Sequence, residues 1–335
     1  MKKILVLLTG GTIGSKVENG VIDVGENSVY LLTSLYEEKF GKEDFEVRVP
    51  LQILSENMTM DSLLVLLKAV RDVKTEEYAG VIIAHGSDTL SFTSAFMGLL
   101  FDHYEIPIVL VASNLPLSKP EGNGLANFAA AVSFIRNSAQ KGAYVIYRDH
   151  KSCMKVYHAL TICEADPVLD DYHDFSGEAF GYMEDGRFIP FRKNEKQKGQ
   201  TGRSAVSDGT ETHRYIVPDS FDNSVLVIRP YPGMDYSFFN LKGEKKPVAV
   251  LHYLYHSATA CVVGEHTGFP EFAKRCREKA IPLYTASYKQ TQGDLYASAD
   301  QLLKEGGIPL LNQSVEAAYA RLMLHFNGAF LLSNK

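Results

Sequence analysis

The sequence predicts an α/β protein with two domains: a larger N-terminal domain on a doubly wound parallel sheet, and a smaller C-terminal α/β domain. Three observations carry this. Short apolar runs rich in Val, Ile and Leu recur between residues 4 and 147, separated by segments with helical spacing, the pattern of parallel strands buried on both faces. A second alternation of the same kind starts at Val225. Between them, residues 192–207 are charged, contain glycine and are short of apolar side chains, which reads as a solvated linker. The expected boundaries are 1–191 for the first domain, 192–223 for the linker and 224–335 for the second domain.

Residues 4–8 form the expected first strand, ending at Thr9-Gly10-Gly11-Thr12. Asn19-Gly20 is a two-residue turn signal, so residues 15–23 read as a small hairpin or flap. Residues 46–54 alternate as a strand. Asp61 is placed to cap the next helix, with Leu63, Leu64, Leu67 and Val70 on one face. Residues 81–84 form a central strand that breaks into His85-Gly86-Ser87-Asp88-Thr89. Residues 92–101 are helical, 106–112 a strand, 125–135 an alanine-rich helix, and 144–147 the last strand of this run. Asp185-Gly186 turns a hairpin over 177–187. In the second domain, 225–228, 247–253 and 281–286 read as strands. Residues 270–279, 298–305 and 314–325 read as helices, the last capped by Ser314 with Glu316 in its first turn.

Composition narrows the class. The chain has 335 residues, 45% hydrophobic and 22% charged, as expected of a globular protein. A net charge of −6 and the lack of a basic, aromatic-interleaved run argue against nucleic-acid binding. The apolar run after Lys2-Lys3 stops at Thr9, too short for a secretory signal core. No stretch approaches the ~20 apolar residues of a membrane span. The four cysteines show no metal or redox spacing, so reduced thiols in a cytoplasm are expected. Neither a Gly-x-Gly-x-x-Gly fingerprint nor a P-loop is present, so a nucleotide site is not supported.

Ligands of open α/β sheets bind at the carboxyl ends of the strands. Two strand ends here present hydroxyls, giving two candidate nucleophiles in one cleft, Thr12 and Ser87. Thr9-Gly10-Gly11-Thr12-Ile13 followed by His85-Gly86-Ser87-Asp88-Thr89 resembles the bacterial-type L-asparaginases. The likeness continues through Ser55-Glu56-Asn57-Met58, Leu115-Pro116-Leu117 and residues 314–326, and is poor over 192–223. The resemblance implies that Thr12 is the first nucleophile, with Ser87, Asp88 and His158 as a supporting hydroxyl–carboxylate–base group. It further implies that Gly11, Ser55, Glu56, Asp88 and Ser113 contact the substrate, Asp88 holding the α-ammonium. His85 is read as orienting its turn by hydrogen bonding, and Asp88 also fits a helix N-cap.

Three positions depart from the family. Its tyrosine falls on Val21, the nearest tyrosine being Tyr30. Ser87 stands where the family has threonine. His158 stands where the family has lysine; a shifted loop would put Lys151 or Lys155 there instead. A histidine, with an ordinary pKa near 6.5, can accept a proton at neutral pH without the tuning a lysine requires.

The implied reaction is L-asparagine plus water to L-aspartate plus ammonia, without metal or organic cofactor, by a cytoplasmic, type I-like enzyme. The implied assembly is a homodimer or homotetramer, with residues 255–259 of a neighbouring subunit near the site. The departures keep two other readings open. One is a related amidohydrolase for glutamine, a D-amino-acid amide or a small peptide amide. The other is an amino-acid-binding homologue with weakened catalysis.

Overall fold

The computed structural model describes residues 1–10, 30–191, 214–243, 245–288 and 295–331, together with the backbone of 16–18 and 21–23; for 214, 287–288 and 330–331 only the backbone is described. The chain divides into two units, Met1–Gln200 and Thr201–Lys335.

In the first unit the elements run β1 (Lys3–Leu8), β2 (Lys16–Glu18), β3 (Val21–Asp23), α1 (Leu31–Phe40), β4 (Phe45–Arg48), α2 (Met60–Arg71), β5 (Tyr78–Ala84), α3 (Leu90–Phe101), β6 (Pro107–Val111), α4 (Gly124–Asn137), β7 (Gly142–Arg148), β8 (Met154–His158), β9 (Ile162–Cys163), β10 (His173–Asp174), β11 (Gly181–Glu184) and β12 (Arg187–Pro190). Among the described residues the main sheet has eight strands, in the order β12-β11-β8-β7-β6-β5-β1-β4. β4, β1, β5, β6 and β7 are mutually parallel. The remaining edge is antiparallel: β8 turns back along β7, and β11 and β12 continue the meander. Residues 144–147 therefore do not close the sheet, as the sequence pattern suggested. The edge strands are short and half-polar, and an antiparallel strand with one wet face carries no long apolar run.

Residues 4–8 of β1 are all buried, as a central parallel strand between two helical layers requires. Ile4, Val6, Ile82, Ala84, Val109 and Tyr144 pack with Leu32 of α1 and with Phe128, Val132 and Phe134 of α4. The alternate side chains of each strand point to the other face, where α3 packs against β6 and β7 and α2 packs beside α3. The chain goes from β1 outward to β4, then returns past β1 to β5. The order of winding thus reverses between β1 and β5, and their carboxyl ends flank the crevice where such sheets bind ligands.

Local signals place the ends of these elements. Thr59, not Asp61, caps α2: its hydroxyl accepts from the Ser62 N–H at 3.1 Å, and Asp61 lies in the first turn, where its charge suits the helix dipole. β4 stops at Arg48 and does not extend to residue 54, because Pro50 has no N–H for the ladder. The Asp185-Gly186 turn has φ of 48° and 72°, the left-handed pair of a tight hairpin. The flap exists as the β2–β3 pair, with Glu18 opposite Val21.

The second unit has β13 (Arg214–Tyr215), β14 (Val225–Ile228), β15 (Ala249–Tyr253), α5 (Phe269–Glu278), β16 (Leu283–Tyr288), α6 (Ala297–Lys304), β17 (Ile308–Leu311), α7 (Val315–Phe326) and β18 (Phe330–Leu331). β14-β15-β16-β17 form a parallel four-stranded sheet. β13, which falls in the expected linker, pairs with β18, so that part of 192–223 belongs to the second unit. The rest of the expected linker, up to residue 213, lies outside the described residues. Ser314 caps α7 as read from the sequence, accepting from the Ala317 N–H at 3.1 Å. All four cysteines are free. Among the described residues no helix is long and apolar enough to cross a membrane, and no cluster of His, Cys, Asp and Glu is arranged to hold a metal ion.

Candidate active site

The end of β1 is pinned to the end of β5. The Ala84 carbonyl accepts from both the backbone N–H and the hydroxyl of Thr9, each at 3.1 Å. Gly10 follows with φ of 96° and lies against Ile53, whose N–H donates to the Thr9 carbonyl at 3.0 Å. This brings in the loop after β4, which carries Ser55. The buried Ser55 hydroxyl donates to Asp88 Oδ2 at 3.2 Å. The Ser55 carbonyl accepts from the Thr89 hydroxyl at 3.0 Å. Three segments far apart in sequence therefore converge at the winding reversal: 9–10, 53–57 and 85–89. Asp88 is exposed, so its carboxylate is held on one side by Ser55 and open on the other.

His85 underlies this turn and is fully buried. Its Nδ1 lies 2.8 Å from the Gly86 carbonyl and its Nε2 lies 3.0 Å from the Thr93 hydroxyl. A carbonyl can only accept, so Nδ1 carries the proton and Nε2 accepts from Thr93. Burial, opposed by the Gly86 carbonyl, pushes the imidazole pKa down to about 4. His85 therefore stays neutral and orients the turn, as the sequence leads one to expect. A stability effect follows. Below pH 6.5 the unfolded histidine gains a proton that the folded one refuses, so the contribution is complete above 6.5 and is lost as pH falls towards 4. The loss is roughly 3 kcal/mol over that window. Urea unfolding at pH 7 and pH 4.5 is expected to show a smaller acid loss in His85→Asn than in wild type. Parallel losses in the two proteins would refute this.

Of the residues predicted for the site, Ser55, Ser87 and Asp88 meet in one place, and Glu56 is exposed beside Ser55 on a 3-10 turn, Ser55–Asn57. Gly11 and Thr12 lie outside the described residues. Thr89 rather than Asp88 is the N-cap residue of α3, which leaves the Asp88 carboxylate free of that duty. Ser113 is fully buried and its hydroxyl donates to the Leu115 carbonyl within its own loop. It shapes the end of β6 and does not present a hydroxyl at the surface of the crevice.

His158 is not brought to the group. It pairs with Tyr144, which is level with Val109 and hence with Ile82. That row is five residues short of Ser87 and three strands away, about 14 Å across the sheet. Its ring packs at 4.1 Å from Phe180 and 5.3 Å from Tyr144, on the α4 face. β8 runs antiparallel to β7, so each later residue moves further from the carboxyl end of the sheet. The base role expected at position 158 is therefore withdrawn. Lys155 points to the other face of β8 and pairs with Asp149 at 2.9 Å. Asp149 in turn accepts from the N–H groups of Lys151 and Cys153, at 3.0 and 2.8 Å, closing the β7–β8 turn.

The structure also recruits residues that no motif marked. The Tyr172 hydroxyl donates to the Ser87 carbonyl at 2.7 Å. Asn114 and Asn123 exchange side chain-to-backbone bonds, both 3.0 Å, and Asn127 spans the Ala112 carbonyl and the Arg148 N–H at 2.9 and 2.8 Å. These amides fasten the ends of β6 and β7. A pair of amides so far apart in sequence leaves no local spacing signal, although Asn is over-represented where backbone groups need a partner.

An open, doubly wound α/β sheet with an exposed carboxylate fixed by a buried hydroxyl at its winding reversal defines a small-molecule site of the kind used by hydrolases and binding proteins. Residues 3–167, just under half of the chain, match the family description "Asparaginase, N-terminal", and this stretch is similar to that family. A glutamyl-tRNA(Gln) amidotransferase subunit from Saccharolobus islandicus is 24% identical over 96% of this chain and 70% of its own length. The corresponding amidotransferase subunit from Sulfurisphaera tokodaii shows the same identity and coverage. Among solved structures, the thermostable L-asparaginase of Thermococcus kodakarensis superposes with a TM-score of 0.74 at 23% identity, covering 97% of this chain and 93% of the other. A probable cytoplasmic L-asparaginase of Campylobacter jejuni gives 0.72 at 19% identity, covering 97% and 95%. These superpositions show a shared fold.

Proposed function

We propose that the protein hydrolyses the side-chain amide of L-asparagine, releasing L-aspartate and ammonia. The observation that carries this is the Ser55–Asp88 bond at 3.2 Å, which ties two motif segments together beside Gly10. The exposed Asp88 carboxylate suits an α-ammonium group, and a charge-assisted contact there fixes the amino-acid end. Thr12 follows Gly10 by two residues and is the proposed nucleophile. Its hydroxyl oxygen forms an ester with the amide carbon, ammonia leaves, and water cleaves the ester. Ser87 and Asp88 form the proposed supporting pair, and Glu56 and Gly11 are proposed to complete the amino-acid pocket. The protein is proposed to act as a homodimer or homotetramer in the cytoplasm, without metal or organic cofactor; light scattering tests the assembly.

The amidotransferase subunits at 24% identity favour a second reading: the same amide cleavage with the ammonia passed to an acceptor held by another chain. Ammonia release from L-asparagine, L-glutamine and their D-forms separates the readings. The first expects L-asparagine to be the best substrate of the isolated chain. Faster release from L-glutamine would transfer the case to the second. If no amide is cleaved while L-aspartate still raises the melting temperature, the protein is a binding homologue and both readings fail.

A further inference from the structure

The turn bearing Ser87 and Asp88 is braced from behind by one phenol. Tyr172 lies just before β10 and is 2% exposed. Its hydroxyl donates to the Ser87 carbonyl at 2.7 Å, a bond between residues 85 positions apart. Tyr172 and the residue before it are themselves held by their neighbours. The Tyr172 ring lies edge-on to Tyr147 of β7, with centroids 4.9 Å apart at 83°. The Tyr172 carbonyl accepts from the hydroxyl of Tyr157 in β8 at 2.9 Å. The preceding Asp171 accepts from the His150 N–H at 2.8 Å and is bonded to His150 Nδ1.

The Ser87 carbonyl belongs to the same rigid peptide unit as the Asp88 N–H, and in a trans peptide the two point in opposite directions. Holding the carbonyl against the buried phenol therefore points the Asp88 N–H away from that phenol. We infer that Tyr172 is the positioning residue of the site: through the Ser87 carbonyl it sets the orientation of the Ser87–Asp88 peptide, and with it the direction of both side chains. This deepens the proposed amidohydrolase reading and rests on it for its kinetic consequence only. The order is supplied from beneath the turn by a hydroxyl whose proton is committed to the Ser87 carbonyl, and burial raises the phenol well above its ordinary range.

Tyr172→Phe keeps the ring and removes the bond. The control is Tyr144→Phe, which removes an equally buried phenol hydroxyl that donates to the Lys141 carbonyl at 3.0 Å on the α4 face. Two readouts are taken on the full chain: kcat and KM for L-asparagine, and hydrogen exchange of the peptide covering residues 85–93. Tyr172→Phe is expected to lower kcat/KM roughly tenfold, the value of one well-placed hydrogen bond to a functional turn, and to speed exchange over 85–93. Tyr144→Phe is expected to leave kcat/KM within about twofold of wild type and exchange over 85–93 unchanged. Equal effects of the two variants, or unchanged exchange in Tyr172→Phe, would overturn the inference. Wild-type protein that cleaves no amide would instead sink the proposed function, and the exchange comparison alone would then decide the role of Tyr172.

Discussion

Thr12→Ala is expected to lower kcat for L-asparagine by about a thousandfold or more, the scale on which nucleophile removal acts in hydrolases, while L-aspartate still raises the melting temperature. The reason is that the proposed chemistry and the proposed binding use different groups. The proposed binding uses the carboxylate of Asp88, which accepts from Ser55, and the peptide held by Tyr172; none of these involves position 12. Chemistry requires an oxygen that forms and then releases an ester, and alanine offers none. Ser87→Ala is expected to do less, on the order of ten- to a hundredfold, because a supporting hydroxyl improves proton transfer without forming the covalent bond. A Thr12→Ala variant with more than a tenth of wild-type kcat would remove Thr12 from the mechanism, and a Ser87→Ala loss as large as that of Thr12→Ala would reverse the two roles.

The second large effect is expected from Gly10→Ala. Gly10 has φ of 96°, and a Cβ built there would stand 2.3 Å from the Ile53 carbonyl oxygen and 2.7 Å from the Ile53 nitrogen. Both neighbours are backbone, so no side-chain rotation relieves the clash. Gly41 supplies the comparison within the same unit: its φ is also 96°, and nothing lies within 4 Å of its Cβ position. Gly41→Ala therefore carries only the backbone penalty of its positive-φ, extended conformation, φ 96° and ψ 171°, about 1–3 kcal/mol. Gly10→Ala adds the collision, and a total loss above about 3 kcal/mol is expected. Pushing Ile53 outward also drags Ser55 from Asp88, so the folded remainder is expected to bind L-aspartate less tightly. Equal destabilisation by the two substitutions in urea would show that the close approach of Gly10 to Ile53 does not matter.

The parts of this fold that were legible in the sequence are those with local causes. β1, β5 and β6 are apolar because both faces are covered, and a run of such residues needs no knowledge of the rest of the chain. The Ser314 cap and the Asp185-Gly186 turn are likewise decided within a few residues. The motif segments were legible as strand ends, and the contact of Ser55 with Asp88 follows from the sheet order. What stayed hidden depends on direction and distance. The resemblance offers His158 at the family's lysine position, but β8 runs back down the sheet, so the residue lies away from the crevice. Ser113 has the right residue type, yet its hydroxyl is consumed by Leu115 two positions on. Thr59 and Asp61 both make good caps, and only the helix start decides between them. Tyr172 reaches Ser87 across 85 positions, a contact that composition and spacing cannot announce.

The proposed catalysis rests on one arrangement: a single amino-acid amide held by Asp88 with its amide carbon presented to position 12. A crystal structure of Thr12→Ala soaked with L-asparagine tests it most directly. The predicted result is a ligand whose α-ammonium lies within hydrogen-bond distance of the Asp88 carboxylate and whose side-chain amide faces residue 12 beside the end of β1. Ligand density elsewhere in the molecule, or with the amide turned away from residue 12 while another hydroxyl lies in line with it, would contradict that arrangement.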